Sequence, residues 1–306
     1  TKELINAVLQ TQFNTGATQG NLNNHIGVPL TLLSFTAKTE IGIVEMGANH
    51  QKEIEFLCSI CDPDIGYITN FGKAHLEGFG GIEGVIRGKS ELYTYLKEHR
   101  KMALVNSKDP KQVALSQGIE SFELNDSVIH TSEKAFLEIL YHDQIIHTKL
   151  VGSYNLDNIN AAISMGKYLC ITQENIIAGI ENYTPSNNRS QMIKKESNTI
   201  LLDAYNANPS STRLALDNFN KIKHHSKIVI LGDMFELGDS SVKEHQNIVD
   251  FCETLELNRL IFVGKHYSRT TARESYADLA SLTKKLTSHP LKNSFVLIKG
   301  SRGMIL

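Results

Sequence analysis

Short apolar runs alternate with helical patterns along most of the chain. In the first hundred residues, the runs 41–46, 65–69 and 102–105 are rich in β-branched and other apolar side chains, as buried strands are. Between them, residues 51–61 and 82–99 have the three- and four-residue apolar spacing of amphipathic helices. Alternation of strands and helices in this order predicts a parallel sheet covered by helices.

Residues 119–151 interrupt the alternation. The short apolar runs 135–140 and 145–151 flank a polar turn at 141–144, a pattern that predicts antiparallel hairpins and a small side sheet. Two helices are expected after it, at residues 155–169 and 173–183.

A polar segment with a proline, residues 184–188, separates two regions of α/β alternation. Beyond it, the pattern predicts four strands and three helices: strands at 199–202, 227–231, 259–263 and 294–298, and helices near 210–222, 241–256 and 276–288. We therefore predict an α/β protein of two domains, residues 1–186 and 187–306.

Composition narrows the class of protein. Apolar residues make up 41% of the 306 positions and charged residues 21%, which is typical of a globular domain. The net charge of −2 gives no general attraction to nucleic acid or to an anionic membrane. The sequence has no apolar run long enough for a transmembrane helix and no signal-peptide pattern after Thr1, so we expect a cytoplasmic protein.

Cys58 and Cys61 form the one close pair among the four cysteines. A redox or metal site is one interpretation, but no second pair or nearby histidine completes a zinc set. Because the surrounding residues have a helical pattern, we interpret both as small core residues.

Polar residues beside glycine follow nearly every predicted strand. In open α/β sheets, ligands bind beyond the carboxyl ends of the strands, so this placement predicts a large polar site. Glu45 and His75 are the best-placed candidates for Mg²⁺, which prefers oxygen ligands. A strand-end acid and a loop-capping histidine are the plain alternatives for these two residues. Lys299, in Lys-Gly-Ser-Arg-Gly, is a weaker candidate for binding a phosphate group.

The chain resembles the Mur ligase family in three stretches, EMGAN at 45–49, NFGKAHLEGFG at 70–80 and GSYNLDNINAA at 152–162. Three more are similar to the branch that acts on D-alanyl-D-alanine: GNLNNHIGVP at 20–29, DAYNANPSS at 203–211 and LGDMFELG at 231–238. The motifs follow one another in the family's order, which makes the resemblance specific.

The resemblance implies a P-loop-type ATPase domain followed by a Rossmann-like domain. Family members also have a UDP-sugar domain, a first ATPase strand and a Gly-Lys-Thr phosphate loop, all of which we expect to precede Thr1 in a longer ligase. A further helix is expected to follow residue 306. On that expectation this chain alone is inactive; a non-catalytic binding relative is the alternative.

The implied reaction joins D-alanyl-D-alanine to UDP-N-acetylmuramoyl-tripeptide in peptidoglycan precursor synthesis. ATP phosphorylates the tripeptide carboxylate, and the dipeptide amine then attacks the acyl phosphate, which divides one difficult step into two easier ones. Another Mur-type ligase or a folylpolyglutamate-type ligase remains open. The resemblance implies a monomer whose two domains close on ATP, with a hinge at residues 184–188. We expect no nucleic-acid partner and no membrane span.

The resemblance also assigns residues to roles. It implies two Mg²⁺ ions, with the metal ligands Glu45, His75 and a carbamylated Lys89. The nucleotide contacts it implies are Asn158, Arg189, Asp203 and Asn206. Lys299 and Ser301 are expected to face the acyl substrate or the γ-phosphate, and Asn23 and Asn24 the UDP-tripeptide. Lys89, His75 and Lys299 are the residues expected to act in catalysis. His245 fits the same signature but receives no role.

Overall fold

The structure is a computed structural model that describes residues 1–72, 76–130, 135–186 and 188–306, without the side chain of Leu76. His75 and the hinge residue Asn187 therefore lie outside the described residues. The chain forms two compact units. The first includes Tyr154–Tyr183 and most of the chain before it, and the second includes Thr184–Leu306 with short adjoining segments.

Helices and short strands alternate through the first unit. Its helices are α1 (Lys2–Leu9), α2 (Gly27–Leu33), α3 (Glu53–Cys61), α4 (Leu76–Phe79), α5 (Ile82–Glu98), α6 (Pro110–Leu115), α7 (Leu156–Tyr168) and α8 (Gln173–Asn182). The strands up to residue 151 are β1 (Thr15–Ala17), β2 (Ile41–Ile43), β3 (Ile65–Tyr67), β4 (Met102–Val105), β5 (Glu120–Glu123), β6 (Val128–His130), β7 (Phe136–Tyr141) and β8 (Gln144–Val151).

The strands β1 to β5 pair in parallel, as predicted. β1 pairs with β2, and β4 lies between β3 and β5. The prediction that the alternation stops at residue 119 was wrong, because β5 extends the parallel sheet. The sequence of β5, Glu-Ser-Phe-Glu, is mostly exposed and lacks the apolar run of a central strand, since it lies at the edge of this sheet.

The predicted side sheet is present after β5. Its order is β6–β7–β8, and β6 runs antiparallel to β7 with Ile129 opposite Ile139. Buried and exposed residues alternate along β8, as expected for a strand with one covered face.

Helix α1 packs against α7 and α8. At Gly179 the backbones approach closely, since a Cβ there would lie 2.8 Å from the Cα of Val8. Val8 and Leu9 are fully buried in this contact region. The absence of a side chain on α8 therefore lets α1 lie close to the helix pair.

The second unit is a six-stranded sheet with helices. Its strands are β9 (Gln191–Lys195), β10 (Asn198–Leu202), β11 (Lys227–Gly232), β12 (Arg259–Val263), β13 (Ser275–Tyr276) and β14 (Phe295–Lys299). Its helices are α9 (Pro209–Lys221), α10 (Ser241–Glu253) and α11 (Leu279–Ser288). The strand order is β13–β12–β11–β14–β10–β9, and all pairs are parallel except β9 with β10.

The centre of this sheet positions the polar loops. Every residue of β11 is buried, as expected for a parallel strand covered on both faces. Because β14 pairs with both β10 and β11, the loops that follow these three strands emerge at one edge. Helix α9 begins directly after the loop of β10, where Asn208 and Ser211 form a reciprocal capping box around Pro209. The predicted α/β class with parallel sheets is thus confirmed.

No helix in the parts of the chain that the structure describes is long and apolar enough to cross a membrane.

Candidate functional site

In the first unit, Glu45 follows β2 and is half-buried. Its Oε1 accepts a hydrogen bond from Nδ2 of Asn23 at 2.9 Å, and its backbone N–H donates to Oγ1 of Thr18 at 2.9 Å. Within the described residues no cation pairs with this carboxylate. The oriented oxygen atoms suit a hard divalent cation.

The side chain of Asn24, next to Asn23, accepts hydrogen bonds from the backbone. Its Oδ1 accepts from the N–H groups of Gly27 at 2.9 Å and of Ile26 at 3.1 Å, at the start of α2. These two donors would otherwise lack partners at a helix start. The structure thus gives Asn24 a capping role, and its predicted substrate contact stays a prediction.

Lys89 lies on α5, half-buried, and its Nζ donates to the backbone carbonyl of Asn70 at 2.6 Å. Burial lowers the pKa of Lys89 from its usual value. A lowered pKa increases the fraction of neutral amine, which is the form that reacts with carbon dioxide. The chemistry of Lys89 therefore fits carbamylation.

Asn158 lies in the first turns of α7. Its Oδ1 accepts a close hydrogen bond from the hydroxyl of Thr1, and its Nδ2 donates to Oδ1 of Asn155 at 3.0 Å. The side chain is half-buried, so part of it is open to a ligand.

In the second unit, three predicted site residues meet at the carboxyl ends of β10 and β14. Nζ of Lys299 donates to Oδ2 of Asp203 at 2.7 Å and to the backbone carbonyl of Asn206 at 3.2 Å. The side chain of Lys299 is 3% exposed and that of Asp203 is 16% exposed. The other carboxylate oxygen of Asp203 accepts from the N–H of Ser190 at 3.2 Å. The result is a buried ion pair between residues 96 positions apart.

Ser301 links the loops that follow β14 and β11. Its hydroxyl accepts from the N–H of Phe235 at 2.9 Å and donates to the carbonyl of Ala207 at 3.4 Å. It is 3% exposed, so the hydroxyl already serves the protein's own backbone. Its predicted contact with the acyl substrate stays a prediction.

Arg189 lies beside an aromatic ring that sequence reasoning did not single out. Its guanidinium carbon is 3.7 Å from the ring centroid of Tyr205, which follows β10, and that of Arg302 is 5.9 Å from the same centroid. Both arginines are exposed. The neighbouring Gly-Ser-Arg-Gly letters were a signal for Arg302, but its position beside Tyr205 depends on the pairing of β10 with β14.

The loop after β11 is held by Asp233 and His245. The carboxylate of Asp233, 2% exposed, accepts from the N–H groups of His266 and Tyr267 at 3.0 Å each. Nε2 of the fully buried His245 accepts from the N–H of Met234 at 3.0 Å, while Nδ1 lies 2.7 Å from the carbonyl of Ser241. Burial lowers the pKa of His245, so the ring is neutral and carries its proton on Nδ1. His245 thus holds the loop through the backbone of Met234, and its ring packs against the rings of His266 and Tyr267.

All four cysteines are free thiols. Cys58 is buried in an apolar cluster with Val28, Ile54 and Leu57, which confirms its interpretation as a core residue. Burial raises the pKa of Cys58 to about 12 and that of Cys61 to about 11. Thiols with such values are unreactive at neutral pH.

The described residues contain no group of three or more His, Cys, Asp or Glu side chains arranged for a metal ion. His75 lies outside this set. Magnesium usually keeps several waters and takes only one or two protein carboxylates. A single carboxylate such as Glu45 is therefore compatible with a magnesium site.

Two family models match successive parts of the chain. Residues 1–166 match the family model described as the Mur ligase middle domain, and residues 188–302 match the one described as Mur ligase, glutamate ligase domain.

Two relatives carry the name UDP-N-acetylmuramoyl-tripeptide–D-alanyl-D-alanine ligase. The protein from Bacillus subtilis is 31% identical over 100% of this chain and 71% of its own length. The protein from Escherichia coli is 30% identical over 98% of this chain and 71% of its own length. A crystal structure of MurF from Acinetobacter baumannii is 28% identical, with a TM-score of 0.86, and the match covers 99% of this chain and 71% of that one.

Proposed function

The chain belongs to the Mur ligase family, and from that premise we propose that it joins D-alanyl-D-alanine to UDP-N-acetylmuramoyl-tripeptide with the consumption of ATP. The observation that carries this proposal is 31% identity over the whole chain to a ligase named for these substrates. The product is an amide, and ADP and phosphate leave. We place the enzyme in the cytoplasm as a monomer, in the synthesis of peptidoglycan precursors.

The reaction has two chemical steps in our proposal. The tripeptide carboxylate takes the γ-phosphoryl group of ATP, and the amine of the dipeptide then displaces phosphate from the carbonyl carbon. The first step depends on the neutralisation of phosphate charge, and the second on the position of the amine.

In the first unit, we propose Glu45, His75 and Lys89 as the metal-holding residues. Magnesium would supply charge neutralisation at the phosphate oxygens. Asn23 supports the assignment of Glu45, because its amide fixes one carboxylate oxygen. The lowered pKa of Lys89 supports its carbamylation, which would convert a cation into an oxygen ligand. We propose Asn158 as a nucleotide contact and Asn23 and Asn24 as contacts to the UDP-tripeptide.

In the second unit, we propose that Arg189, Asp203 and Asn206 contact the nucleotide. Lys299 supports this assignment, because its ammonium group holds the loop of Asp203 and Asn206 through two hydrogen bonds. We also propose that Lys299 and Ser301 lie on the side of the acyl substrate. The division between domains is proposed at residues 186 and 187, near the change of unit after Tyr183.

The experiment that tests the function uses the longer ligase, with the segments that we expect before Thr1. It measures phosphate release with ATP, Mg²⁺ and UDP-N-acetylmuramoyl-tripeptide while the amine is varied. We expect release with D-alanyl-D-alanine and at least about 100-fold less with D-alanine, L-lysine or glutamate, since a site that binds a dipeptide leaves polar groups unpaired with a single residue. Mass spectrometry should show the pentapeptide product. Release that prefers a single amino acid, or that is absent with every amine, would refute the proposal.

A further inference from the structure

Arg302 is an exposed cation with no ion-pair partner among the described residues of its unit. Its guanidinium carbon is 5.9 Å from the ring centroid of Tyr205, within the range of a cation–π interaction. It directly follows Ser301, in the loop at the carboxyl end of β14. Arg302 is therefore positioned by a ring, while its hydrogen-bond donors remain available to a ligand.

The other cations around this edge of the sheet are already accounted for. Lys299 is buried and paired with Asp203 at 2.7 Å. Arg189, 3.7 Å from the Tyr205 centroid, is the residue that we assign to the nucleotide phosphates. Of these three cations, Arg302 alone has neither an ion-pair partner in the part of the chain that the structure describes nor an assigned ligand.

We infer that Arg302, supported by Tyr205, binds the carboxylate of the incoming dipeptide and so selects D-alanyl-D-alanine by its charged end. This inference rests on the proposed function. The dipeptide carries one carboxylate, and the planar guanidinium fork can hold such a group through two parallel hydrogen bonds.

The length of the dipeptide agrees with the position of Arg302 close to the acyl substrate. Two extended residues span about 7 Å, so the carboxylate must be bound within a short distance of the carbon that the amine attacks. Arg302 is three positions beyond Lys299, which we place beside the acyl substrate. The end of β14 and the loop after it thus carry a group for each end of the dipeptide's binding site.

The same guanidinium could meet an oxyanion from another source, the phosphate of the nucleotide or of the acyl phosphate. The kinetic test therefore compares D-alanyl-D-alanine with its C-terminal amide, which lacks the negative charge, for the wild-type protein and for Arg302→Gln. Phosphate release by the longer ligase is measured with each amine varied, and the KM for ATP is measured in parallel.

A charge-assisted hydrogen bond at a partly exposed site corresponds to about a 10- to 100-fold change in binding. We expect the wild type to have a KM for the amide about 10- to 100-fold higher than for the acid. Arg302→Gln should raise the KM for the acid by the same factor and leave the KM values for the amide and for ATP unchanged. Arg302→Lys should recover part of the preference, because it keeps the charge but not the fork.

The matched control is Arg213→Gln. Its guanidinium carbon lies 4.2 Å from the ring centroid of Phe251, so the same charge and the same kind of ring contact are removed elsewhere in the unit. We expect its kinetic constants to equal those of the wild type. Thermal unfolding of each variant reports whether the fold is kept; Arg302 is exposed, so unchanged unfolding is expected.

Three results would overturn the inference. Equal losses with the acid and the amide would mean that Arg302 does not bind the carboxylate. A raised KM for ATP would assign Arg302 to the phosphate groups. Equal KM values of the wild type for the acid and the amide would show that the enzyme does not recognise the carboxylate of the dipeptide. Absence of any phosphate release with the wild type is a different result, which refutes the proposed function itself.

Discussion

The buried pair of Lys299 and Asp203 allows a quantitative test of how the second unit is held together. The change Asp203→Asn removes the negative charge but keeps an oxygen that can accept the hydrogen bond from the N–H of Ser190. In the wild type, that N–H lies 3.2 Å from Oδ1 of Asp203. The ammonium group of Lys299, 3% exposed, then lies in the interior with neutral acceptors only.

The expected cost follows from this burial. Removal of one partner from a buried ion pair leaves an uncompensated charge, which costs about 3–5 kcal/mol in free energy of unfolding. The change Lys299→Met should cost less, about 1–3 kcal/mol, because the carboxylate of Asp203 is 16% exposed and keeps its bond from Ser190. The double variant should be more stable than Asp203→Asn alone, since no charge remains buried.

Hydrogen exchange measured by mass spectrometry is the suitable assay. The chain has no tryptophan and two compact units, so a single fluorescence or melting curve would not isolate the second unit. Peptides from β10 and β14 report the opening free energy at the site itself. The control is Glu253→Gln, which breaks an exposed pair with Arg273 at 3.7 Å and should change exchange very little.

Two outcomes would refute the reasoning. If Asp203→Asn costs less than about 1 kcal/mol, the ammonium group is not held in a low-dielectric interior. If the two single costs add in the double variant, the charges are not coupled.

Three other residues give further predictions. Glu45→Gln should raise the Mg²⁺ concentration needed for half-maximal activity about 10-fold or more in a phosphate-release titration, while Glu40→Gln at an exposed site should not. In the longer ligase, Lys89→Ala should lose most activity without rescue by bicarbonate, and ¹³C-bicarbonate should give a carbamate NMR signal in the wild type only. In buffer free of carbon dioxide, the free energy of unfolding of the wild type minus that of Lys89→Met should rise with pH below 10.5, because the folded state releases the Lys89 proton first; the same difference taken against Lys111→Met should stay constant with pH. Asn208→Ala should cost about 1 kcal/mol in urea unfolding, since it removes the capping acceptor for α9, and Asn208→Asp should cost little.

Each of these has a contradicting result. An unchanged Mg²⁺ titration would remove Glu45 from the metal site. Normal turnover of the Lys89→Ala variant would exclude the carbamate as a ligand. A difference between the wild type and Lys89→Met that does not change with pH would mean that Lys89 does not titrate in this range. A fully stable Asn208→Ala variant would mean that water replaces the cap.

The central strands of both units could be predicted because burial on two faces requires continuous apolar runs. The run in β11 is an example, since all of its residues are buried. The edge strands β5 and β9 could not be predicted in the same way. Gln-Met-Ile-Lys-Lys in β9 pairs with β10 on one side only and therefore has no need of a continuous apolar run.

The site could be predicted in kind more readily than in detail. Ligands bind at the carboxyl ends of parallel strands, and this rule alone predicts that Asp203, Asn206 and Lys299 lie at one edge of the sheet. The ion pair between Lys299 and Asp203 depends on β14 returning between β10 and β11, an arrangement that local patterns do not encode. The position of Tyr205 beside Arg302 depends on the same pairing.

The unequal burial of the four thiols has a practical use in protein chemistry. Cys58 and Cys252 are buried, and burial raises the pKa of each to about 12. Cys61 is half-buried, while Cys170 is exposed just beyond α7. Because maleimides react with accessible thiolates, a dye or spin label added near neutral pH will attach at Cys170 without any engineered cysteine. Within these 306 residues, the sequence thus supplies one exposed attachment point for spectroscopic probes.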